Sequence, residues 1–104
     1  MSEYSSGPGQ AAAVKTRQEA KVPRLYKVLL HNDDYTTMDF VVMVLVEIFN
    51  KPQDEAVRIM LNVHHEDIGV CGLYPKAVAE TKVAAVHELA QGHGFPLHCS
   101  MEPE

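Results

Sequence analysis

Leu25-Tyr26-Lys27-Val28-Leu29-Leu30 runs straight into His31-Asn32-Asp33-Asp34-Tyr35-Thr36, and the reading of this junction decides the fold. The first six residues are mostly apolar and include a β-branched residue, which predicts a strand. Asn32, Asp33 and Asp34 end it, because their short polar side chains bond to nearby backbone and favour turns. Thr36 reads as an N-cap with Asp39 at the third helical position, a shortened capping box. The helix opened there runs to about Phe49. Its apolar residues fall on nearly every side, which predicts deep burial.

Downstream, Pro52 suits the first position of a second helix, where its missing N–H is no loss. Asp54 and Glu55 suit the positive end of that helix. Ala56, Ile59, Met60 and Val63 follow three-and-four spacing, with His64 on the same stripe. Residues 68–74 read as a short strand in which Gly69 and Gly72 allow close backbone approach. A third helix starts near Pro75 and ends near Gln91, with Val78, Ala85, Val86 and Leu89 along one face. Gly92 and Gly94 stop it. Residues 97–101 form the last strand. The predicted class is α+β, in the order strand, helix, helix, strand, helix, strand. A small, mostly antiparallel three-stranded sheet packs on three helices. Upstream, residues 1–22 carry Gly and Ser punctuation and little apolar content, and read as a flexible N-terminal extension. Residues 23–104 form the single domain.

Composition limits the function classes. The chain has 104 residues, too few for a barrel enzyme of about 250 residues. Its net charge is −5. Residues 1–22 hold Lys15, Arg17 and Lys21 against Glu3 and Glu19, a net +1, so the remainder holds −6. Such a domain repels phosphate backbones, which argues against nucleic acid and for a cationic ligand. No apolar run reaches the roughly 18–20 residues of a membrane span, and no secretory signal is visible. A cytoplasmic monomer is expected. Cys71 and Cys99 read as two reduced core thiols, the alternative being a disulfide between neighbouring strands.

Enzyme motifs are missing: there is no Gly-rich phosphate loop and no Gly-x-Ser-x-Gly. Adjacent Asp33 and Asp34 point to opposite sides of an extended chain. Adjacent His64 and His65 diverge by about 100° on a helix. His31, His87, His93 and His98 are scattered, so no metal-ligand spacing appears. The same residues read differently as acceptors. Asn32 offers an amide oxygen, Asp33 or Asp34 a carboxylate, and neutral His64 a ring nitrogen. An ammonium group, with three donors, matches that set. Met38, Val41, Met60 and Val63 flank it on two helices and suit either an apolar pocket or ordinary core. Periodicity alone does not bring them to one place.

The chain also resembles a known family. Residues 25–30, then Asn32-Asp33-Asp34-Tyr35-Thr36, Met38 and Phe40, look like the signature of ClpS-type adaptors. The resemblance continues through Met60-Leu61, Val63-His64, Val70-Cys71-Gly72, residues 78–83, Pro96-Leu97 and Cys99. It covers residues 23–102 in order. It implies a non-enzymatic adaptor that binds N-degrons, substrates beginning with Phe, Tyr, Trp or Leu, and hands them to the ClpA unfoldase of ClpAP. Asn32, Asp33 and His64 would then bind the free α-amine. Met38, Val41, Met60, Val63 and Leu97 would line the side-chain pocket, with Asp34 and Thr36 at its edge. Glu80 and Lys82 would face the N-terminal domain of ClpA, and the extension would be what the unfoldase engages. No cofactor is implied. The family usually has Pro-Met-Glu after Thr36, where this chain has Thr37-Met38-Asp39, so a looser loop and altered selectivity are expected. It often has an acidic residue where Ala77 stands. The remaining alternatives are a small metal- or carboxylate-dependent enzyme, or another binding module of similar fold.

Overall fold

The computed structural model describes residues 23–104, so the extension read over residues 1–22 lies outside the described residues. The elements are β1 (Leu25–His31), α1 (Met38–Glu47), α2 (Gln53–Glu66), β2 (Ile68–Pro75), α3 (Lys76–His93) and β3 (His98–Pro103). This is the predicted order and class. The sheet order is β2-β1-β3, with both pairings antiparallel. The strand that opens the domain is therefore central, and its last residue leads directly into the Asn32–Thr36 turn.

Val28 and Leu30 of β1 are fully buried and join Phe40, Val44 and Leu45 of α1, Ile59 and Val63 of α2, and Val86 of α3 in one core. Burying one such side chain contributes roughly 1.5–3 kcal/mol relative to exposure. The β1–β2 register shifts between Val28 and Leu29, which leaves Cys71 as the extra residue of a bulge. Gly69 lets β2 lie close on α2: a Cβ there would stand 2.6 Å from a Val63 methyl. Both cysteines are buried free thiols. The disulfide alternative does not form, because β1 lies between their strands. Two strand spacings are about 9–10 Å, beyond the roughly 7 Å that a bridge tolerates.

Element ends differ from the sequence reading in instructive ways. The N-cap of α1 is Thr37 rather than Thr36, and its hydroxyl accepts the Phe40 N–H at 3.1 Å. Thr36 is committed elsewhere, to the Asp33 carboxylate. Asp39 consequently falls at the second helical position and no capping box forms. Thr37 supplies a cap acceptor that proline cannot. Pro52 is the N-cap of α2, one residue before the helix. Along α3 the buried face is Ala79, Val86 and Ala90, while Val78 is exposed. Small alanines let α3 sit close to the sheet, which turns the bulkier Val78 outward.

Lys82 organises the end of α1. Its ammonium donates to the Ile48 carbonyl at 2.7 Å, one of the acceptors that a helix C-terminus leaves open. It also lies 5.7 Å and 5.3 Å from the ring centroids of Phe49 and Tyr74. Asn50, in left-handed conformation (φ 56°), then turns the chain toward α2. No helix among the described residues is long and apolar enough to cross a membrane.

Candidate functional site

The Asn32–Thr36 turn, the first turn of α1 and the second half of α2 meet around a cavity of about 260 Å³. Its lining is Asn32, Asp33, Asp34, Thr36, Met38, Val41, Met60, Val63 and His64. Ligand pockets usually run to roughly 300–1,000 Å³, so this one has room for a single side chain. Val41, Met60 and Val63 are buried and form the apolar floor. Met38 is 44% exposed and stands at the entrance as an unbranched, adaptable thioether. Asn32, Asp34 and His64 are exposed at the mouth.

The local sequence explains the polar rim. Asp33 folds its carboxylate back on the turn. One oxygen accepts the N–H groups of Tyr35 (2.8 Å) and Thr36 (2.7 Å); the other accepts the Thr36 hydroxyl at 2.7 Å. Burial pushes the Asp33 carboxyl up. The Thr36 hydroxyl, the Thr36 N–H and the Tyr35 N–H outweigh that and hold it below the usual carboxylate range. The group is a fixed anion with acceptor capacity to spare, since a carboxylate has about four lone-pair sites. The Asn32 N–H donates to the Asp67 carbonyl at 2.9 Å, which ties the turn to the C-terminus of α2. Asp67 itself is left-handed (φ 70°) and makes the sharp reversal that sets His64 opposite the turn. An anion, an amide and an imidazole thus border an apolar hole, and that arrangement suits a small group bearing an ammonium beside a hydrophobic side chain.

Nine of the ten pocket residues read from the sequence come together here. Leu97 does not. It is 4% exposed in the core, and it lines a separate surface depression with His87, Ala90 and Phe95. It belongs to the same buried cluster as Val41, Met60 and Val63, the cavity floor. Glu80 is exposed on α3, whereas Lys82 is half-buried and engaged with Ile48. Two features escaped the sequence reading. The Thr36–Asp33 bond was hidden because Thr before a helix reads as a cap. His31, His87 and His98, read as scattered, lie side by side, with His98 tilted against His31 and stacked on His87. Positions 31 and 98 are paired by strand register, which spacing along the chain does not reveal. Among the described residues no group of three or more His, Cys, Asp or Glu side chains is placed to hold a metal ion.

Comparison with known proteins shows the family of the chain. The family model described as ATP-dependent Clp protease adaptor protein ClpS matches residues 21–100. The ATP-dependent Clp protease adapter protein ClpS of Desulfatibacillum aliphaticivorans is 63% identical over 87 residues, covering 84% of each chain. That of Oleidesulfovibrio alaskensis is 56% identical over 102 residues, covering 98% of each. Among solved structures, Agrobacterium tumefaciens ClpS2 bound to L-phenylalaninamide matches with a TM-score of 0.77 and 40% identity, over 80% of this chain and all of that one. The chain belongs to the ClpS family of Clp protease adaptor proteins and is an adaptor rather than an enzyme.

Proposed function

We propose that this adaptor binds substrates beginning with Phe, Tyr, Trp or Leu and delivers them to the ClpA unfoldase for degradation by ClpAP. The observation that carries the reading is the pairing of a one-side-chain apolar cavity with three acceptors at its mouth. Asn32, Asp33 and His64 receive the three N–H groups of the α-ammonium. Val41, Met60 and Val63 take the first side chain, Met38 closes over it, and Asp34 and Thr36 form the edge. The compound bound to the Agrobacterium relative supports this. L-Phenylalaninamide has a free α-amine, a benzyl side chain and an amide in place of the first peptide bond.

The partner surface is the outer face of α3 around Glu80 and Lys82, with the N-terminal domain of ClpA as its partner in the cytoplasm. Residues 1–22 are the segment the unfoldase engages during delivery. The deciding experiment is a titration with a Phe-initiated peptide and its N-acetylated twin. Binding of the free amine with at least about tenfold loss on acetylation supports the reading. Equal affinity for the two overturns it.

A further inference from the structure

The end of the β1–β3 ladder holds three imidazoles in contact. His31 and His98 are directly opposite in register, with ring centroids 4.8 Å apart. His98 in turn stacks on His87 of α3 at 5.6 Å and 13°. The His31 Nε2 lies 2.7 Å from the Ser100 hydroxyl, and the His87 Nε2 accepts the Cys99 N–H at 3.0 Å. One cluster therefore joins the central strand, an edge strand and the long helix. The next residue after His31 is Asn32, the first residue of the binding turn.

We propose that this histidine cluster is a proton-sensitive clasp: neutral, it holds the end of β1 against β3 and α3, and protonated, it loosens the Asn32–Thr36 turn. A proton on His31 or His98 places an imidazolium against a second imidazole, and a second proton places like charges about 5 Å apart. A proton on the His87 Nε2 displaces the Cys99 N–H. The facing groups are few. β3 brings Glu102, which stands opposite Lys27 and favours the charged form of His31. β2 brings the uncharged Ile68 opposite His31, and Asp67 reaches this end through its backbone carbonyl to Asn32. α3 brings His87. Burial first, and His98 second, hold His31 below the ordinary imidazole range, against the pull of Glu102. The unfolded chain therefore binds the proton more readily. Stability is full above the ordinary value of about 6.5 and is lost as the pH falls from there through the folded-state value.

The effect on peptide rests on the proposed function; the effect on folding does not. The test is urea unfolding of the full chain at pH 7.5 and 5.5, without peptide, for wild type, His98→Val and His31→Val. Between the two pH values the unfolding constant of wild type should rise about fivefold more than that of either variant, the size expected of a partly exposed charge contact. His98→Lys should destabilise the chain already at pH 7.5. Identical pH dependence in wild type and the foldable variants overturns the clasp. In parallel, the affinity for a Phe-initiated peptide should fall more in wild type than in His98→Val between pH 7.5 and 5.5. Equal falls overturn the link to the binding turn. A protein that binds no free-amine peptide at any pH refutes the functional reading instead, and the urea series still decides the clasp.

Discussion

Asp33→Asn separates the charge of the rim from its architecture. The amide keeps Oδ1 for the Tyr35 and Thr36 N–H groups and can donate its NH₂ to the Thr36 hydroxyl, so the turn persists. The stability change should stay below about 1 kcal/mol, a Tm shift under about 8 °C for a domain of this size. The lost attraction is larger. Unit charges about 4 Å apart near a protein surface attract by about 4 kcal/mol. Solvent reaches this half-exposed carboxylate, which reduces the figure to about 2–3 kcal/mol. That is a loss of about 30- to 150-fold in affinity for a free-amine peptide. The assay is fluorescence anisotropy with a labelled Phe-initiated peptide, alongside thermal melts. Because the folded-state carboxyl is depressed, its contribution to stability is present above the ordinary value of about 3.9 and is lost as the pH falls through the folded value. No neutral-pH assay is therefore complicated by its protonation. Binding within about threefold of wild type in folded Asp33→Asn would mean that the anion does not face an ammonium.

Four further outcomes are expected. Met38→Ala should open the entrance and raise the affinity for Ile-initiated peptides relative to Phe-initiated ones; an unchanged ratio would make Met38 a packing residue. His64→Leu should weaken free-amine peptides about tenfold, since one N–H loses its protein acceptor at a solvent-accessible mouth, and should leave the much weaker binding of acetylated peptides unchanged. Lys82→Met should uncap α1 and remove the cation from Phe49 and Tyr74, lowering stability by about 1–2 kcal/mol in urea titrations; an unaltered midpoint would refute that structural role. Deleting residues 1–20 should leave peptide affinity intact while slowing degradation of a Phe-initiated substrate by ClpAP; normal turnover would end the assignment of that segment to delivery.

The strand, the turn and the two helices that frame the cavity were legible because each has its own local cause. Asn32 to Asp34 cannot continue a strand, and Ala56, Ile59, Met60 and Val63 declare a helical stripe. The cavity itself needed more than periodicity, which left Met38 and Val41 readable as ordinary core. The resemblance to ClpS adaptors supplied the grouping, and nine of its ten residues meet in space. Leu97 is the tenth: it is absent from the cavity lining but buried in the same core cluster as Val41, Met60 and Val63. The N-cap misassignment had a local rival: two threonines are adjacent, and the carboxylate three residues before Thr36 takes it out of contention. Lys82 was read, through the resemblance, as a partner-facing residue; that its ammonium also answers the open Ile48 carbonyl of a helix far away in sequence was not legible.

The Asp33 turn has a bearing on which amines can be tolerated. Its carboxylate is already held by three hydrogen bonds before any ligand arrives. A free side chain would swing to follow a displaced donor, at the cost of being ordered on binding. This one does neither. It is a stiff reference point, and under the proposed function the ligand must bring its nitrogen to it. An N-terminal proline, a secondary amine with one N–H fewer, or a methylated terminus meets an acceptor that does not re-aim. Under the proposed function, rigidity at this corner thus acts as a filter on the chemistry of the terminus itself, separate from the filter that the cavity applies to the side chain.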